Sequence, residues 1–371
     1  MMIIYAALAA LILLAWRYYY RKNWSRQIRF SLKFGSEAVR AGETVTLSEI
    51  VENRKKLPVP ILEAGFRVPV GLRFLDGENI VRSDYLYKRD VFAMLGMECI
   101  TRKYHLLCQK RGRYPVSQMT LNCRSLLHFD EYYREIACDD ILYVYARGTD
   151  IRGILPSLIS VIGERDANRR IIEDPFAFAG IRPYTPSDPM KNINWKASAK
   201  GGSMMVNSYQ SVMADQALIL LDLEDRRIIK RSDLVEECIS LAASLSRWLI
   251  RNRWSVGIAV NVVTEDADGF FGIESALGEE QLSRIERMLT LDISSAVYIP
   301  FGQMCEQVLS RDHEFMPVLI SINTDETAVK SLRTVCKDET GAIWICPCFK
   351  EDEPPRTPLG ALRLIRREVT P

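Results

Sequence analysis

The amino-acid sequence predicts a protein of class α/β plus β, with an N-terminal transmembrane helix, an antiparallel β-sandwich-like region and a doubly wound α/β domain. Three observations predict this class: an apolar run opens the chain, short alternating segments follow, and apolar strands then alternate with amphipathic helices. The 371 residues suffice for two domains. The patterns suggest an anchor over 1–22, a β region over 25–147, a connector over 148–212, an α/β domain over 213–350 and a basic tail over 351–371.

The first element is apolar from Met1 to Trp16, and tyrosines and a basic cluster follow it. No charge precedes Arg17, so the segment lacks the basic n-region of a signal peptide. Its length approaches the roughly 20 apolar residues that span a bilayer, and the positive-inside rule places the basic flank in the cytoplasm. We therefore expect a single-pass protein of the cell membrane, in contact with the lipid bilayer, with its body facing the cytoplasm. The alternative is a buried N-terminal helix.

The β region, 25–147, consists of short segments in which apolar and polar residues alternate. RQIRFSLKF shows the period of two that is typical of strands. In TVTLSEIVENRK, Val45, Leu47 and Ile50 are the apolar positions and Glu49 is a polar one. Turn signals every ~10 to 15 residues favour an antiparallel sandwich.

From residue 213 the pattern changes to that of an α/β domain. QALILLDLE is a continuous apolar strand, and the next segment carries apolar residues at helical spacing from Leu234 to Leu249. The strands SVGIAVNVV, MPVLISIN and GAIWICPCF then alternate with helices in EEQLSRIERMLTL and DETAVKSLRTVCK. This alternation predicts a doubly wound parallel sheet over 213–350. The tail over 351–371 is either a final packed helix or a segment that touches a membrane or a partner.

The composition argues against several classes of function. The net charge is +2, so no basic field indicates a nucleic-acid partner. The three histidines lie near no cysteine pair, and Cys346 and Cys348 form C-x-C rather than C-x-x-C, so a zinc site is not indicated. The nine scattered cysteines fit reduced, buried thiols in a cytosolic compartment.

The stretch from Gly180 to Gly202, GIRPYTPSDPMKNINWKASAKGG, combines two aromatic residues with many charged and amide side chains among turn formers. It resembles the signature of domain-of-unknown-function family 58, which reads roughly G-x-R-x-Y-x-x-G-D-x-x-R-x-I-x-W-K-x-S-A-R. Ser187 replaces the usual glycine, and Lys191 and Lys200 replace the usual arginines. The matching residues are Gly180, Arg182, Tyr184, Asp188, Ile193, Trp195, Lys196, Ser198 and Ala199.

The resemblance extends weakly over the whole chain and implies both a fold and a function. The β region has a family-like N-x-x-x-L-P turn from Asn53 to Pro58 and an R-G-x-Y element from Arg111 to Tyr114. The C-terminal half of the family is similar to a von Willebrand factor A fold, and its members work beside MoxR-type AAA+ ATPases. The resemblance therefore implies a membrane-anchored cytosolic protein-interaction or assembly factor with such an ATPase as its partner.

Folds of this A type often carry a metal-ion-dependent adhesion site, D-x-S-x-S, in which Mg²⁺ is held at the end of the first strand. This sequence keeps Asp222, but Glu224 and Arg226 stand where the two serines belong. A fixed guanidinium disfavours a divalent cation beside it. Asp222 and Glu224 are therefore a degenerate metal candidate, and the alternatives are a solvated strand end or a salt-bridged contact to the signature. We expect no cofactor, and a metal-dependent adhesion-type binding module is the alternative function.

The chemistry of the signature leaves its role open. Arg182 can pair with a carboxylate, Lys196 supplies a point charge, and Tyr184 and Trp195 offer amphipathic contact area. Asp188 precedes a proline, which favours a turn. Together these residues form either a partner-docking surface or an internal clamp that joins the β region to the α/β region.

An active site is a third interpretation of the signature, and the sequence offers it little support. Ser198 has no histidine nearby in the sequence, and no G-x-S-x-G elbow is present. We therefore expect that the protein is not an enzyme. The candidate residues for partner binding or interdomain contact are Arg182, Tyr184, Asp188, Trp195, Lys196 and Ser198.

Overall fold

The computed structural model describes residues 2–75, 80–82, 85–124, 131–138, 140–168, 178–185, 190–209, 215–263, 271–293, 296–309, 315–323, 342–352 and 362–369. The chain forms two compact units. Unit 1 comprises Met1–Gly148 and Glu286–Ser295, and unit 2 comprises Thr149–Ile285 and Ala296–Pro371.

Strands predominate in unit 1, whereas unit 2 combines strands with most of the helices. The helices are α1 (Met2–Asn23), α2 (Leu155–Asn168), α3 (Trp195–Gly201), α4 (Ser232–Arg251), α5 (Glu279–Met288) and α6 (Phe301–Leu309), with a 3₁₀ turn at Met190–Asn192. The strands of unit 1 are β1 (Ile28–Phe34), β2 (Ala38–Arg40), β3 (Thr44–Asn53), β4 (Val59–Pro69), β5 (Leu72–Phe74), β6 (Ile80–Arg82), β7 (Tyr85–Met94), β8 (Glu98–Cys108), β9 (Gly112–Pro115), β10 (Ser117–Arg124), β11 (Glu131–Ile136) and β12 (Ile141–Tyr145). Those of unit 2 are β13 (Phe178–Pro183), β14 (Met205–Tyr209), β15 (Gln216–Asp222), β16 (Ser255–Val260), β17 (Val262–Val263), β18 (Phe271–Ala276), β19 (Val297–Tyr298), β20 (Met316–Ser321), β21 (Ala342–Cys348) and β22 (Leu362–Glu368).

Unit 1 is built from β-sheets whose strands alternate between buried and outward side chains. One sheet has the order β1-β3-β8-β5, a second has the order β11-β10-β4-β7-β6, and a small third sheet has the order β2-β12-β9. The two larger sheets are antiparallel throughout. Alternation with a period of two gives each strand one apolar face, and these faces form a single core that includes Leu47, Leu62, Phe66 and Leu106.

Unit 1 also contains Arg111, the arginine of the R-G-x-Y element. Its guanidinium Nη1 donates hydrogen bonds to the carbonyl oxygens of Leu289 and Leu291, at 2.8 Å each. Both acceptors lie just after the end of α5 at Met288. Arg111 therefore satisfies two backbone carbonyl groups of unit 1.

A buried cluster of ionisable groups links the two larger sheets of unit 1. The Tyr104 hydroxyl, on β8, lies 2.7 Å from Oε2 of Glu49 on β3 and 2.7 Å from Oδ2 of Asp90 on β7. Asp90 Oδ1 also lies 3.3 Å from Lys88 Nζ and 3.2 Å from Arg102 Nη1. Glu49 Oε1 has no hydrogen-bond partner among the described residues. Burial raises the pKa of Glu49 to about 7, although the hydrogen bond with Tyr104 opposes this rise.

Unit 2 contains a six-stranded sheet of order β18-β16-β15-β20-β21-β22. The strands from β16 to β22 in that order pair in parallel, whereas β18 is antiparallel to β16. Helix α4 has apolar residues at helical spacing, and twelve of its residues are buried. The continuous burial of β16, β20 and β21 is typical of strands covered on both faces.

The predicted fold class is wrong. Strand residues outnumber helix residues in the part of the chain that the structure describes, and a von Willebrand factor A-like domain is not supported. Strands β13, β14, β18 and β22 lie where none was predicted, and β18 makes the large sheet mixed rather than purely parallel. The basic tail includes β22, an edge strand, where charged side chains are well tolerated. The helix predicted in DETAVKSLRTVCK lies outside the described residues.

The prediction of a membrane anchor over 1–22 is also contradicted. None of the helices in the described part of the chain combines the length and the apolar character that crossing a bilayer requires. Helix α1 reaches its 22 residues only by including Arg17, Arg21 and Lys22, and the apolar run that ends at Trp16 is shorter than the roughly 20 residues of a typical span. The expectation of a single-pass protein at the cell membrane, with its body facing the cytoplasm, is therefore not supported.

Candidate functional site

The signature stretch forms a hairpin and a short helix in unit 2. Strands β13 and β14 pair antiparallel, with Arg182 opposite Val206 and Pro183 opposite Met205. Ile193 makes an isolated antiparallel bridge to Val206. Ile193 and Val206 are buried, so the hairpin has one covered face.

Asn194 connects the hairpin to helix α3. Its Oδ1 accepts a hydrogen bond from the backbone N–H of Ala197 at 2.9 Å, so Asn194 is the N-cap of the helix. Its Nδ2 donates to Oδ1 of Asn207 on β14 at 2.7 Å, and its backbone N–H donates to the carbonyl of Met205 at 2.8 Å. The helix ends at Gly202, whose φ of 66° lies in the left-handed region that favours glycine. Two groups of Asn194 therefore fix the start of α3 to β14, and a third caps the helix.

Ser198 holds the same helix at its centre. Its Oγ donates to the carbonyl oxygen of Asn194 at 2.8 Å and accepts from the backbone N–H of Met205 at 2.8 Å. The single hydroxyl hydrogen is thus engaged in a local bond. The position fits a structural role better than that of a nucleophile, which requires an adjacent base.

The remaining signature residues differ in their surroundings. Trp195 is 65% exposed and Met190 is 67% exposed. Lys196 is exposed as well, and Arg182 is half-buried with Nη1 donating to the Pro183 carbonyl at 3.3 Å. Tyr184 is half-buried, and its N–H donates to the Met204 carbonyl at 2.9 Å. The sixth predicted residue, Asp188, lies outside the described residues.

We expect Asn194→Ala to destabilise the attachment of α3 to β14. The loss of the N-cap and of the bond to Asn207 should cost about 1–2 kcal/mol of local stability. Amide hydrogen exchange of Ala197 and Ser198 measures this change, and exchange rates in the variant equal to those of the native chain would contradict it. Lys200→Ala, in the same helix and without a cap role, is the matched control.

A second group of polar residues lies at the carboxyl ends of the parallel strands of unit 2. Asp222, the last residue of β15, is 1% exposed. Its Oδ1 accepts from Asn261 Nδ2 at 2.7 Å and from the backbone N–H of Glu224 at 3.3 Å. Its Oδ2 accepts from Ser321 Oγ at 2.8 Å and from Asn323 Nδ2 at 2.9 Å. In the sheet, β16 lies on one side of β15 and β20 on the other, so the strand order reverses at β15. Such a reversal point is a frequent ligand position in open α/β sheets.

These contacts do not fit a Mg²⁺ site. Both oxygens of Asp222 already accept two hydrogen bonds each, and burial raises the pKa of this carboxyl. Glu224 Oε2 pairs with Arg226 Nε at 3.0 Å, so the positions of the expected serines are occupied by an ion pair. Among the described residues, no group of three or more histidine, cysteine, aspartate or glutamate side chains could hold a metal ion. The Asp222 network is best interpreted as a hydrogen-bonded connection between three strand ends.

The residues that surround Asp222 carry no motif that marks them in the sequence. Asn261 follows the apolar strand β16, and Ser321 and Asn323 lie at and just after the end of β20. The available signal was their position, because polar residues that follow neighbouring parallel strands meet at one edge of the sheet. No such positional signal marks Asn194 and Asn207, because their hydrogen bond depends on how β13 and β14 pair.

No family model matches the chain. A Bacillus subtilis (strain 168) protein, described as uncharacterized protein YeaD, is 24% identical over 222 residues, which is 59% of this chain and 51% of that protein. The chain thus matches about half the length of this curated relative.

Several solved structures, including the two that follow, have local similarity to the chain. The CARDB domain of the PF1109 protein from Pyrococcus furiosus has a TM-score of 0.19 and 13% identity, covering 30% of this chain and 90% of that one. A non-cellulosomal cohesin from Archaeoglobus fulgidus has a TM-score of 0.22 and 9% identity. The match covers 35% of this chain and 97% of the cohesin. Both are β-sandwich domains and not A-type domains.

Proposed function

We propose that the chain is a protein-interaction or assembly factor that docks a partner through its signature segment. The observation that carries this proposal is the exposure of Trp195 on a helix whose first turn is fixed by Asn194. A tryptophan side chain provides a large contact area, and tryptophan is enriched among the residues that dominate binding energy. An exposed tryptophan on a rigid support is well placed for such a role.

The rigidity of the support favours binding over a purely conformational role. Asn194 and Ser198 attach α3 to β14 through the hydrogen bonds described above. A surface that is already ordered loses less conformational entropy when a partner binds. The polar residues of the signature therefore support the aromatic contact rather than take part in chemistry.

The character of the partner surface follows from the residues beside Trp195. Met190 adds a second exposed apolar side chain, and Lys191, Lys196 and Lys200 are exposed cations. We expect the partner to present an apolar pocket for the tryptophan with acidic residues around it. The family resemblance of the signature suggests a MoxR-type AAA+ ATPase as this partner.

The test is a binding measurement with the purified full chain and a purified MoxR-type AAA+ ATPase. Trp195→Ala should weaken binding about thirty-fold, which corresponds to ~2 kcal/mol at a residue that dominates an interface. Tyr133→Ala is the matched control, because Tyr133 is also an exposed aromatic residue but lies on β11 of unit 1. It should leave the dissociation constant unchanged.

The same variants separate docking from the alternative of an internal clamp. A clamp residue would lower the free energy of unfolding when it is truncated, whereas an exposed docking residue should change it by less than about 0.5 kcal/mol. If Trp195→Ala binds the ATPase as tightly as the native chain, or if it destabilises the fold strongly, the docking proposal is wrong.

A further inference from the structure

Among the residues that the structure describes, one edge of strand β1 pairs with no other strand. The strand pairs only with β3 among the described strands and lies at one end of its sheet. The Gly35 N–H donates to the Thr46 carbonyl at 2.8 Å, on the β3 side, whereas the Phe34 N–H donates to Asp140 Oδ2 at 2.8 Å, on the other side. Because the backbone direction alternates along a strand, the even-numbered residues direct their N–H and C=O groups away from β3.

Two backbone donors on this edge have no partner among the described residues. The N–H of Ile28 donates to Ser25 O at 3.3 Å, and that of Phe34 is bound by Asp140. Between them, the N–H groups of Phe30 and Leu32 receive no acceptor from the described part of the chain. An open edge of this kind is a template for an additional strand.

An open groove with a volume of about 450 Å³ follows the same edge. Its partly exposed apolar lining comes from Ile50 and Ile136, whereas Ile28 and Phe30, which also line it, are buried in the core of unit 1. A volume of this size is in the range of known ligand sites. Apolar side chains of an added segment could therefore be buried beside the backbone pairing.

The groove also has a basic rim. Arg29 and Lys33 lie on the same face of β1, since they are separated by an even number of residues, and both are exposed. Arg29 lies opposite Glu52 in the β1–β3 pairing, and the pKa of Glu52 is lowered mainly by its hydrogen bond with Arg54 and also by the charge of Arg29. Lys33 lies opposite Ser48 and pairs with no acid within 4.0 Å among the described residues. Arg134 lines the groove from β11, and the acid in the lining, Glu52, is paired with Arg54 at 2.6 Å. The rim therefore offers cationic groups to an acidic ligand.

We propose that this edge of β1 binds an extended acidic peptide segment of a partner protein as an added strand. Backbone bonds to Phe30 and Leu32 would hold the segment, its apolar residues would enter the groove, and its carboxylates would pair with Arg29, Lys33 and Arg134. This site belongs to unit 1 and is independent of the proposed function of the signature.

The charges argue against a second copy of the chain as the occupant. Antiparallel pairing of β1 with another β1 would bring Arg29 and Lys33 of both copies close together, and like charges across a strand pair are destabilising. A small anion or a lipid headgroup could pair with the cations but would leave the alternating backbone donors and the apolar groove unused. A peptide strand satisfies all three features.

The experiment uses the full chain and a fluorescein-labelled peptide of roughly eight residues in which valine and glutamate alternate. Fluorescence anisotropy should show saturable binding, and the charge-reversed pair Arg29→Glu and Lys33→Glu should weaken it about tenfold or more. The control pair Arg73→Glu and Lys103→Glu makes the same change in net charge at exposed positions on β5 and β8. It should bind like the native chain.

Two further measurements identify strand addition. Two versions of the peptide are methylated on alternate backbone nitrogens, so that each version lacks the N–H donors of one of its two edges. The version methylated on the edge that pairs with β1 should lose binding. Hydrogen exchange of the Phe30 and Leu32 amides should slow when the unmethylated peptide binds. The proposal is overturned if no binding occurs up to about 1 mM peptide or if both methylated versions bind normally. It is also overturned if the exchange rates of these amides stay unchanged, or if sedimentation shows that a second copy of the chain covers the edge.

Discussion

Glu49→Gln is expected to make unit 1 more stable at pH 8 than the native chain, by up to about 3 kcal/mol, and equally stable near pH 4.5. The pKa of Glu49 is raised from 4.5 to about 7 in the folded protein. A carboxyl group with a raised pKa contributes its full stability below the unfolded value, and this stability is lost as the pH rises through the folded value. The native chain should therefore lose stability between pH 4.5 and about 7, and the glutamine variant should not.

The geometry of the cluster gives an independent reason to place a proton on Glu49. The Tyr104 hydroxyl has one hydrogen, but carboxylate oxygens of both Glu49 and Asp90 lie 2.7 Å from it. If Tyr104 donates to Asp90, which is paired with Lys88 and Arg102, the second contact requires that Glu49 donates its own proton to the tyrosine oxygen. Glutamine can supply a similar donor through its amide.

Urea unfolding of the full chain at about pH 5 and about pH 8 checks this prediction, with exchange protection of amides in β3 and β8 reporting unit 1. Glu52→Gln is the matched control, because Glu52 lies on the same strand but faces outward and is paired with Arg54. An unchanged pH dependence in Glu49→Gln would show that Glu49 is ionised in the folded protein.

Asp222→Ala is expected to lower the free energy of unfolding of unit 2 by on the order of 3 kcal/mol or more. The substitution removes the acceptor of Asn261, Ser321 and Asn323, all of which are buried. A buried donor left without an acceptor costs about 1–3 kcal/mol, and the three donors cannot all find new partners in a packed sheet end. The effect should therefore exceed that of an ordinary surface substitution.

Urea unfolding at neutral pH measures the effect, with Glu224→Ala as the control. Glu224 is half-buried and its side chain pairs with Arg226, so its loss should cost less than about 1 kcal/mol. Millimolar Mg²⁺ should leave the stability of the native chain unchanged, because a metal that binds the folded state would raise it. A stability gain with Mg²⁺, or a negligible loss in Asp222→Ala, would contradict the interpretation of this network.

The residue pattern indicates many strands of the protein. It is harder to predict which side chains of each strand face the core. RQIRFSLKF overlaps β1, and TVTLSEIVENRK overlaps β3. In β3, however, Glu49 faces the core and Ile50 faces outward, the reverse of the sequence interpretation. Since the period is two, the positions of Val45 and Leu47 set the register and force a carboxyl group inward. Only the partner side chains from β7 and β8 make this position tolerable, and those partners are distant in sequence.

The sequence singles out the candidate residues but does not indicate their surroundings. The signature singles out Ser198 and Trp195, yet nothing in the sequence indicates that the serine hydroxyl is engaged by β14 while the tryptophan is exposed. Asp222 was identified through a motif that binds metal, whereas its donors, Asn261 and Asn323, come from other strands of the sheet. Contacts between distant segments are set by topology and register, which local patterns do not contain.

Site-specific photo-crosslinking tests most directly whether the signature docks a partner. A benzophenone amino acid is placed at position 195 instead of Trp195, and at position 133 instead of Tyr133 as the control, in the full chain mixed with a purified MoxR-type AAA+ ATPase. Docking through the signature predicts a crosslink to the ATPase from position 195 and none from position 133. No crosslink from position 195, or equal crosslinking from both positions, would contradict it.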